Sequence, residues 1–473
     1  MEFNADLPEL PKGWVWTRVG EIYDIIGGGT PSTKVEKYWI GDIPWITSAD
    51  IINLKDIRPR KYINKEAIQY SATNLVPKSS LIIVTRVGLG KIALTKYPLC
   101  FSQDCQALIG KNIQPHPDYS LYYLSQAVQI FKYQHRGTTI PGVTKKQLSE
   151  LLFALPPFPE QHRIVAKIEE LFTKLDTGVE ALKKIKIQLK RYRQAVLKYA
   201  FEGKLTQQWR EAQKGELEPA SILLERIKEL RKKEAKGKVK ELPPIDTSEL
   251  PELPEGWVWT LLEYCVEILD NQRVPVNSKD REKRKGDIPY YGATGQVGWI
   301  DDFIFDDELI LLGEDGSPFL DPHKSKAYII RGKSWVNNHA HVLKAIFGVT
   351  INAILCHYLN IFDFYNYVSG TTRLKLNQSQ MRQIPVPLPP LPEQHQIVAE
   401  IESRLSVADQ VEKVVEQSLK QTERLRQSIL KQAFEGKLVP QDPTDEPAEK
   451  LLERIRKEKE SRGLIKQKSR RKK

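Results

Sequence analysis

Cysteine is scarce in this chain. The four present in 473 residues, Cys100, Cys105, Cys265 and Cys356, include no CxxC pair and no Cys/His spacing of a zinc site. A chain of this length buries enough core to fold without disulfides, so the expectation is a reducing cytoplasm. Long apolar runs are missing as well. Nothing approaches the roughly 18 residues that cross a bilayer, and the start MEFNADLPELPKG lacks the basic and apolar segments of a secretory leader. A soluble protein is expected.

Catalytic equipment is also thin. LPPF at Leu155 invites comparison with the Asn/Asp-Pro-Pro-Phe/Tyr loop that holds an amine for methylation. Its first residue, however, is leucine here and again at Leu388, and leucine accepts no hydrogen bond. GLGKIA (88–93) leads into a proline instead of a helix, so it reads as a β-turn and not a dinucleotide loop. GGGTPSTK from Gly27 lacks the GxxxxGK[ST] order of a phosphate loop. His339 and His341 could share a strand face, but no third metal ligand has sensible spacing. Nothing resembles a nucleophile elbow. These gaps point away from an ATPase, nuclease or methyltransferase, and no catalytic, cofactor-binding or metal-binding residue is assigned.

What the chain does have is positive charge and repetition. Lysine and arginine outnumber aspartate and glutamate by 72 to 60, a net +12 that favours a polyanionic partner, nucleic acid first. LPELPKGWVWT from Leu7 returns with one change from Leu250. LPPFPEQHRIVAKIEELF from Leu155 returns as LPPLPEQHQIVAEIESRL from Leu388, each running on to AFEGKL, and EPASILLERIKEL from Glu218 returns as EPAEKLLERIRKE from Glu446. The spacing is too long for a solenoid, whose unit is roughly 20 to 50 residues. It describes a duplicated domain. The middles match only weakly, GDIPWITSADI at Gly41 against GDIPYYGATG at Gly286 and RGTT at Arg136 against SGTT at Ser369.

After each LPPxPEQ a heptad pattern predicts a helix of about 40 residues, roughly 60 Å long. The first seam is Ile168, Leu171, Leu175, Leu182, Ile185, Leu189, Tyr192 and Val196; the second is Ile401, Ala408, Val411, Val415, Leu425 and Ile429, with Leu405 and Leu419 beside it. Gly203 and Gly436, each followed by lysine, stop the helices. Two such stripes cover each other best as a pseudo-twofold antiparallel pair, which would put the globular regions at opposite ends. Those regions, with short β-rich runs such as 80–86 and 308–312 and short helices before the GTT loops, read as α+β. The resulting plan is a globular domain 1–155, a helical segment 156–238, a linker and second domain 239–388, and a second helical segment 389–473.

The GWxW opening, GDIPW, GTT, PLPPLPEQHQIVAEI and the long helix ending in FEGKL, all in two copies, resemble the specificity subunit of type I restriction-modification systems over essentially the whole chain. The resemblance implies two mixed α/β target-recognition domains held apart by two long antiparallel helices, each domain reading half of a split DNA sequence. It implies no catalysis and no cofactor in this chain. S-adenosylmethionine would belong to partner adenine methyltransferase subunits, two per chain, and ATP and Mg to partner restriction subunits.

The residues offered for DNA are the GTT loops with their arginines (Arg136, Gly137, Thr138, Thr139 and Gly370, Thr371, Thr372, Arg373), then Thr85, Arg86, Arg273, Lys283, Arg284 and Lys285. Seven basic residues between 181 and 201 could face DNA, acidic helices or solvent, and the last eight, KQKSRRKK, are expected to be a disordered basic tail. An adaptor without a DNA role and an autonomous restriction or methylation enzyme are the other readings of the same pattern.

Overall fold

A computed structural model describes residues 8–131, 142–234 and 244–470. The chain opens with β1 (Val15–Arg18) and β2 (Asp24–Gly27), followed by β3 (Ile43–Ile46), β4 (Lys61–Ile63), β5 (Leu81–Val84), β6 (Ile92–Leu94), β7 (Cys100–Phe101) and β8 (Cys105–Ile109). Helix α1 (Pro117–Ala127) and β9 (Leu152–Leu155) lead to the 44-residue helix α2 (Phe158–Phe201), then α3 (Ala220–Glu234). Proline at the start of α1 suits a first turn that has no use for its amide.

The second half repeats the plan with β10 (Val258–Leu261), β11 (Val266–Ile268), α4 (Ser278–Lys283), β12 (Ile288–Gly292), β13 (Gly295–Ile300), β14 (Phe305–Asp306), β15 (Leu309–Gly313), β16 (Ala327–Ile330), β17 (Lys333–Val336) and β18 (Ala340–Ala345). Then come α5 (Asn352–Ile361), the short strands β19 (Val368–Ser369) and β20 (Lys375–Leu376), β21 (Pro385–Leu388), the 44-residue α6 (Leu391–Phe434) and α7 (Ala448–Arg470).

Sheet order makes the duplication plain where the letters have drifted. An antiparallel sheet β2-β8-β5-β6 in the first half matches β11-β18-β15-β16 in the second. A second sheet β4-β3-β7 matches β13-β12-β17, with β3–β7 and β12–β17 parallel in both. Strand alternation divides the first core. Ile82, Val84 and Ala107 meet Ile46 and Phe101 between the two sheets, while Leu81, Ile83 and Leu108 face α1 and the long helix. The fold is α+β, as the β-rich runs and glycine turns indicated. GLGKIA is the hairpin turn between β5 and β6, with the Val84 amide donating to the Lys91 carbonyl.

The chain divides into two compact units, residues 1–180 with 419–473, and residues 181–418. The division runs through both long helices, and each unit contains the start of one and the end of the other. In the first unit Ile164, Val165 and Ile168 of α2 share a core with Ile429, Leu430 and Ala433 of α6. In the second, Val196, Leu197 and Ala200 share one with Ile397 and Ile401. The helix segments run antiparallel within each unit; in the second, Lys186 pairs with Glu416 (2.9 Å) and Arg193 with Asp409 and Glu412 (2.7 Å each).

The repeated motifs explain themselves here. GWVWT forms β1 and β10, which pair with the strands ending in the LPP motif: Val15 opposite Leu155, and Val258 opposite Leu388. Leu155 and Leu388 are core residues. Trp16 and Trp259 donate their indole N–H to the carbonyls of Pro8 and Pro251, the prolines of the repeated LPEL and LPEL. The glutamine of PEQ closes the proline turn, Gln161 donating to the Pro156 carbonyl and Gln394 to that of Pro389. Each long helix ends at a glycine with positive φ, Gly203 (+68°) and Gly436 (+69°), where a side chain would be strained and would strike Pro254 or Pro11 at 2.3 Å.

The seam differs in detail from the heptad expectation. Residues 401, 408, 415, 422 and 429 are buried or half-buried as expected, but the intervening places belong to Leu405, Glu412, Leu419 and Arg426. Tyr192, Val411 and Leu425 are exposed and lie outside the seam, with Arg193 half-buried in place of Tyr192. The charged side chains that enter reach counter-charges while their methylene stems cover apolar surface. Ile168, Leu171 and Leu175 pack into the first core, and Leu182, Ile185 and Leu189 are half-buried. The basic tail also differs, because α7 runs to Arg470. Leu451, Leu452 and Ile455 anchor its first turns in the core of the first unit, and a Lys/Glu/Arg-rich chain propagates a helix once it is nucleated.

Candidate nucleic-acid interface

The second GTT segment forms a hairpin. β19 and β20 pair Ser369 with Lys375, leaving GTTRL at the tip with Gly370 at φ +101°. The Leu376 amide donates to the Glu314 carbonyl (2.7 Å) and the Gly316 amide to that of Leu374 (3.1 Å), so the tip is docked onto the turn after β15. Thr371, Thr372 and Arg373 are exposed, and Arg373 reaches Asp315 at 2.9 Å. The hairpin thus presents two hydroxyls and a guanidinium from a fixed base. The first GTT loop, with Arg136, Gly137, Thr138 and Thr139, lies outside the described residues.

Beneath the hairpin sits a network of charged side chains. His341 approaches Asp270 through Nδ1 (2.6 Å) and the Leu376 carbonyl through Nε2 (2.9 Å). Arg273 donates to Glu314 (2.7 Å) and the Ala340 carbonyl (2.7 Å) and lies 3.5 Å from Asp270. Burial would raise the Asp270 carboxyl, but His341, the Val342 amide and Arg273 together hold it below the usual range. Arg273, offered above for DNA, is thus spent on the interior. His339 approaches Asp315 at 2.7 Å without the alignment of a hydrogen bond. The histidine pair belongs to this network.

Other offered residues divide the same way. Thr85 is buried, donating both its amide (2.8 Å) and its hydroxyl (3.2 Å) to the Asp104 carbonyl. Arg86, next along, is exposed. Lys283 and Lys285 are exposed, whereas Arg284 pairs with Asp301 (2.7 Å) and covers the Trp335 ring at 4.6 Å. Trp45 donates its indole N–H to the Gly29 carbonyl, which ties the glycine run of GGGTPSTK to the core, while Thr30, Ser32, Thr33 and Lys34 stay exposed.

Sequence reasoning missed one feature. In the first unit Thr33, Trp39, Ile40, Gly41, Arg60, Lys61 and Tyr62 line an open cleft of about 590 Å³. The Lys61 ammonium lies 5.1 Å over the Trp39 ring, and Arg60 is anchored by Asp50 at 2.5 Å. The sequence signal was the weak GDIP repeat, which marks β3 and β12, the strands on which this region is built.

The chain matches the family described as the type I restriction modification DNA specificity domain over residues 11–191 and 254–421, once in each half. The chain belongs to this family. The specificity subunit of the type I restriction enzyme EcoDI from Escherichia coli is 27% identical over 96% of this chain and 97% of its own length. That of EcoKI, from E. coli K12, is 25% identical over the same shares. Among solved structures, a type I restriction-modification system chain covers 91% of this chain and all of its own at TM-score 0.64 and 17% identity. The HsdS subunit from Thermoanaerobacter tengcongensis covers 91% of this chain and 98% of its own at TM-score 0.55 and 18% identity. Both neighbours share the specificity-subunit fold described above, and the family match falls on both copies of it.

Proposed function

We propose that this specificity-family chain binds duplex DNA and that each unit reads one half of a split sequence, the chain itself catalysing nothing. The observation that carries the reading is the family match falling once on each half of a chain whose two α/β units share sheet order but differ in sequence. Two readers multiply discrimination, since each mismatched base pair costs roughly 1 to 3 kcal/mol and separated positions add.

The exposed cations and hydroxyls supply the electrostatic part. Arg86, Lys283, Lys285, Arg373, Thr371 and Thr372 suit phosphate contacts, whose counterion release makes binding steeply salt-dependent. Arg136 to Thr139 join them by the repeat. The chemistry is assigned to partners: methyltransferase subunits, two per chain, carrying S-adenosylmethionine, and restriction subunits carrying ATP and Mg. The chain needs no cofactor of its own. Among the described residues no helix is long and apolar enough to cross a membrane, and the cytoplasm, where the DNA is, is the proposed compartment.

The test is sequencing of methylated DNA from cells expressing this chain with its methyltransferase subunits. A bipartite asymmetric motif with a fixed gap is expected. A continuous motif, or the same motif from the methyltransferase without this chain, would overturn the proposal.

A further inference from the structure

The two smaller sheets can be aligned by register alone. Pro44 on β3 stands opposite Tyr62 on β4, and Pro289 on β12 opposite Trp299 on β13. One place further along, Trp45 faces Cys100 across the parallel pair, and Tyr290 faces Trp335. The glycine of each GDIP confirms the match: a Cβ on Gly41 would lie 2.3 Å from the Ile63 carbonyl oxygen, and one on Gly286 would lie 2.3 Å from that of Ile300. Tyr62 and Trp299 are therefore equivalent residues of the two units. The sequence around them, RPRKYIN and GQVGWID, shares an aromatic residue followed by isoleucine.

That isoleucine is fully buried in both units, as strand alternation requires, and the aromatic ring before it faces outward. Tyr62 is 44% exposed and Trp299 56%. Neither the Tyr62 hydroxyl nor the Trp299 indole N–H has a hydrogen bond to another described residue. Packing accounts for the isoleucines and does not account for the rings. A large aromatic group with a polar edge left open to water, at one register position in two otherwise diverged domains, is the signature of a contact made with something else.

Charge says what that is. In the first unit Tyr62 follows Lys61 on the edge strand β4 and Arg60 just before it, and lines the cleft with Trp39. In the second, exposed Lys283 and Lys285 lead into β12, and Val297, two residues before Trp299 on β13, is exposed as well. A two-stranded ribbon fits the major groove of B-DNA, and aromatic or aliphatic side chains serve as apolar contacts to thymine methyls or as wedges between base steps.

We infer that Tyr62 and Trp299 are the paired base-contacting residues of this chain, one for each half of the split DNA site, each set by a β-ribbon beside basic residues that hold the phosphates. The inference rests on the DNA-reading function proposed above. It goes further by naming one residue in each unit whose loss should affect one half-site only.

The test uses the full chain with its methyltransferase subunits and a labelled duplex carrying the motif found by methylation sequencing. Tyr62→Ala and Trp299→Ala are each expected to weaken binding in fluorescence anisotropy by roughly ten- to a hundredfold, as loss of an aromatic contact to a base does. Tyr62→Phe and Trp299→Phe should keep most of the affinity. Duplexes changed in one half of the motif should be discriminated poorly by one alanine variant and normally by the other. Both side chains are exposed, so melting temperatures should stay at the wild-type value. Wild-type affinity and discrimination in either alanine variant would overturn the inference, as would loss of methyltransferase association with DNA binding intact. If the wild-type complex bound no duplex, the proposed function itself would fall, and this inference with it.

Discussion

Two glutamates begin the two long helices and do the same job with different neighbours. Glu160 accepts a hydrogen bond from the Trp14 indole (3.0 Å), and Glu393 accepts one from Trp257 (2.8 Å). Glu393 also accepts from the Thr206 hydroxyl (2.7 Å) and from Arg210 (2.5 Å). The corresponding places in the second repeat are Val439 and Pro443, so the other Glu160 oxygen is buried without a partner among the described residues. Burial raises the Glu160 carboxyl above its usual range, with Trp14 and Arg163 opposing. A carboxyl raised by folding contributes stability that is fully present below its unfolded value, about 4.3, and is lost as pH rises through the folded value. Near neutral pH the charge on Glu160 is therefore a cost. Glu160→Gln keeps the acceptor for Trp14 and removes that charge, so its melting temperature at pH 7 is expected to equal or exceed wild type, with a flatter pH profile just above the usual carboxyl range. Glu393→Gln should cost about 3 kcal/mol, because it leaves the largely buried Arg210 guanidinium without its counter-charge. Calorimetry on both variants across pH 4.5 to 7.5 checks the pair of outcomes, and equal effects would contradict the asymmetry.

The long helices carry a second lesson, about which residues a stripe recruits. Arg193 sits where the heptad expectation placed Tyr192, and it holds Asp409 and Glu412 on the other helix. Lys186 holds Glu416, and Arg426 pairs with Asp176. Part of the basic run between 181 and 201 is thus answered within the chain, by acids 216 to 230 residues away. Exposed pairs contribute little each, typically under about 1 kcal/mol, but they select one register over its neighbours. The apolar seam supplies the energy. Val415 is 3% exposed and Val411 38%, although a simple heptad treats them alike. Val411→Asp should change stability by no more than about 0.5 kcal/mol, whereas Val415→Asp buries an unpaired charge and should cost upwards of about 3 kcal/mol. Urea unfolding measures both, and a large loss at Val411 would show that the seam follows the heptad after all.

The repeats and the compact units do not coincide. α3 follows the first long helix, yet Ala220 donates its amide to Gly256 in the second unit. Likewise Ala448 of α7 donates to Gly13 in the first, each at 2.9 Å. The first unit is consequently closed by the two ends of the chain. Leu452 lies 440 or so residues from β1 and still belongs to its core. Leu452→Ala should cost about 2 to 4 kcal/mol and should raise amide exchange in β1 and β9, leaving β10 and β21 at their wild-type rates. Faster exchange confined to the second unit would refute this assignment. The long helices are the only described elements that enter both units, and the resemblance assigns them the spacing of the two domains. Inserting four residues in the first seam, about one turn or roughly 5 Å, should widen the gap of the methylated motif by one or two base pairs. An unchanged gap would contradict the separation by long helices that the family resemblance implies.

Much of this was legible from letters because it depends on local or periodic physics. The duplication, the two long helices, their glycine stops and the family all follow from repeated motifs, heptad spacing and backbone conformations that only glycine adopts without strain. The outcome for single site residues was not legible. Thr85 and Arg86 are neighbours just past the end of β5, where hydrogen bonds to the Asp104 carbonyl hold Thr85 in the interior and the chain turns away to leave Arg86 exposed. Arg273 looks like any surface arginine until β18 brings Ala340 and His341 beside it and the turn after β15 brings Glu314. Tyr62 and Trp299 sit in dissimilar strings and become equivalent only through cross-strand register. Which half of a repeated chain closes which unit is likewise set by contacts hundreds of residues apart, and a linear pattern holds no record of them, since burial and pairing are properties of where the chain returns rather than of the order in which it is written.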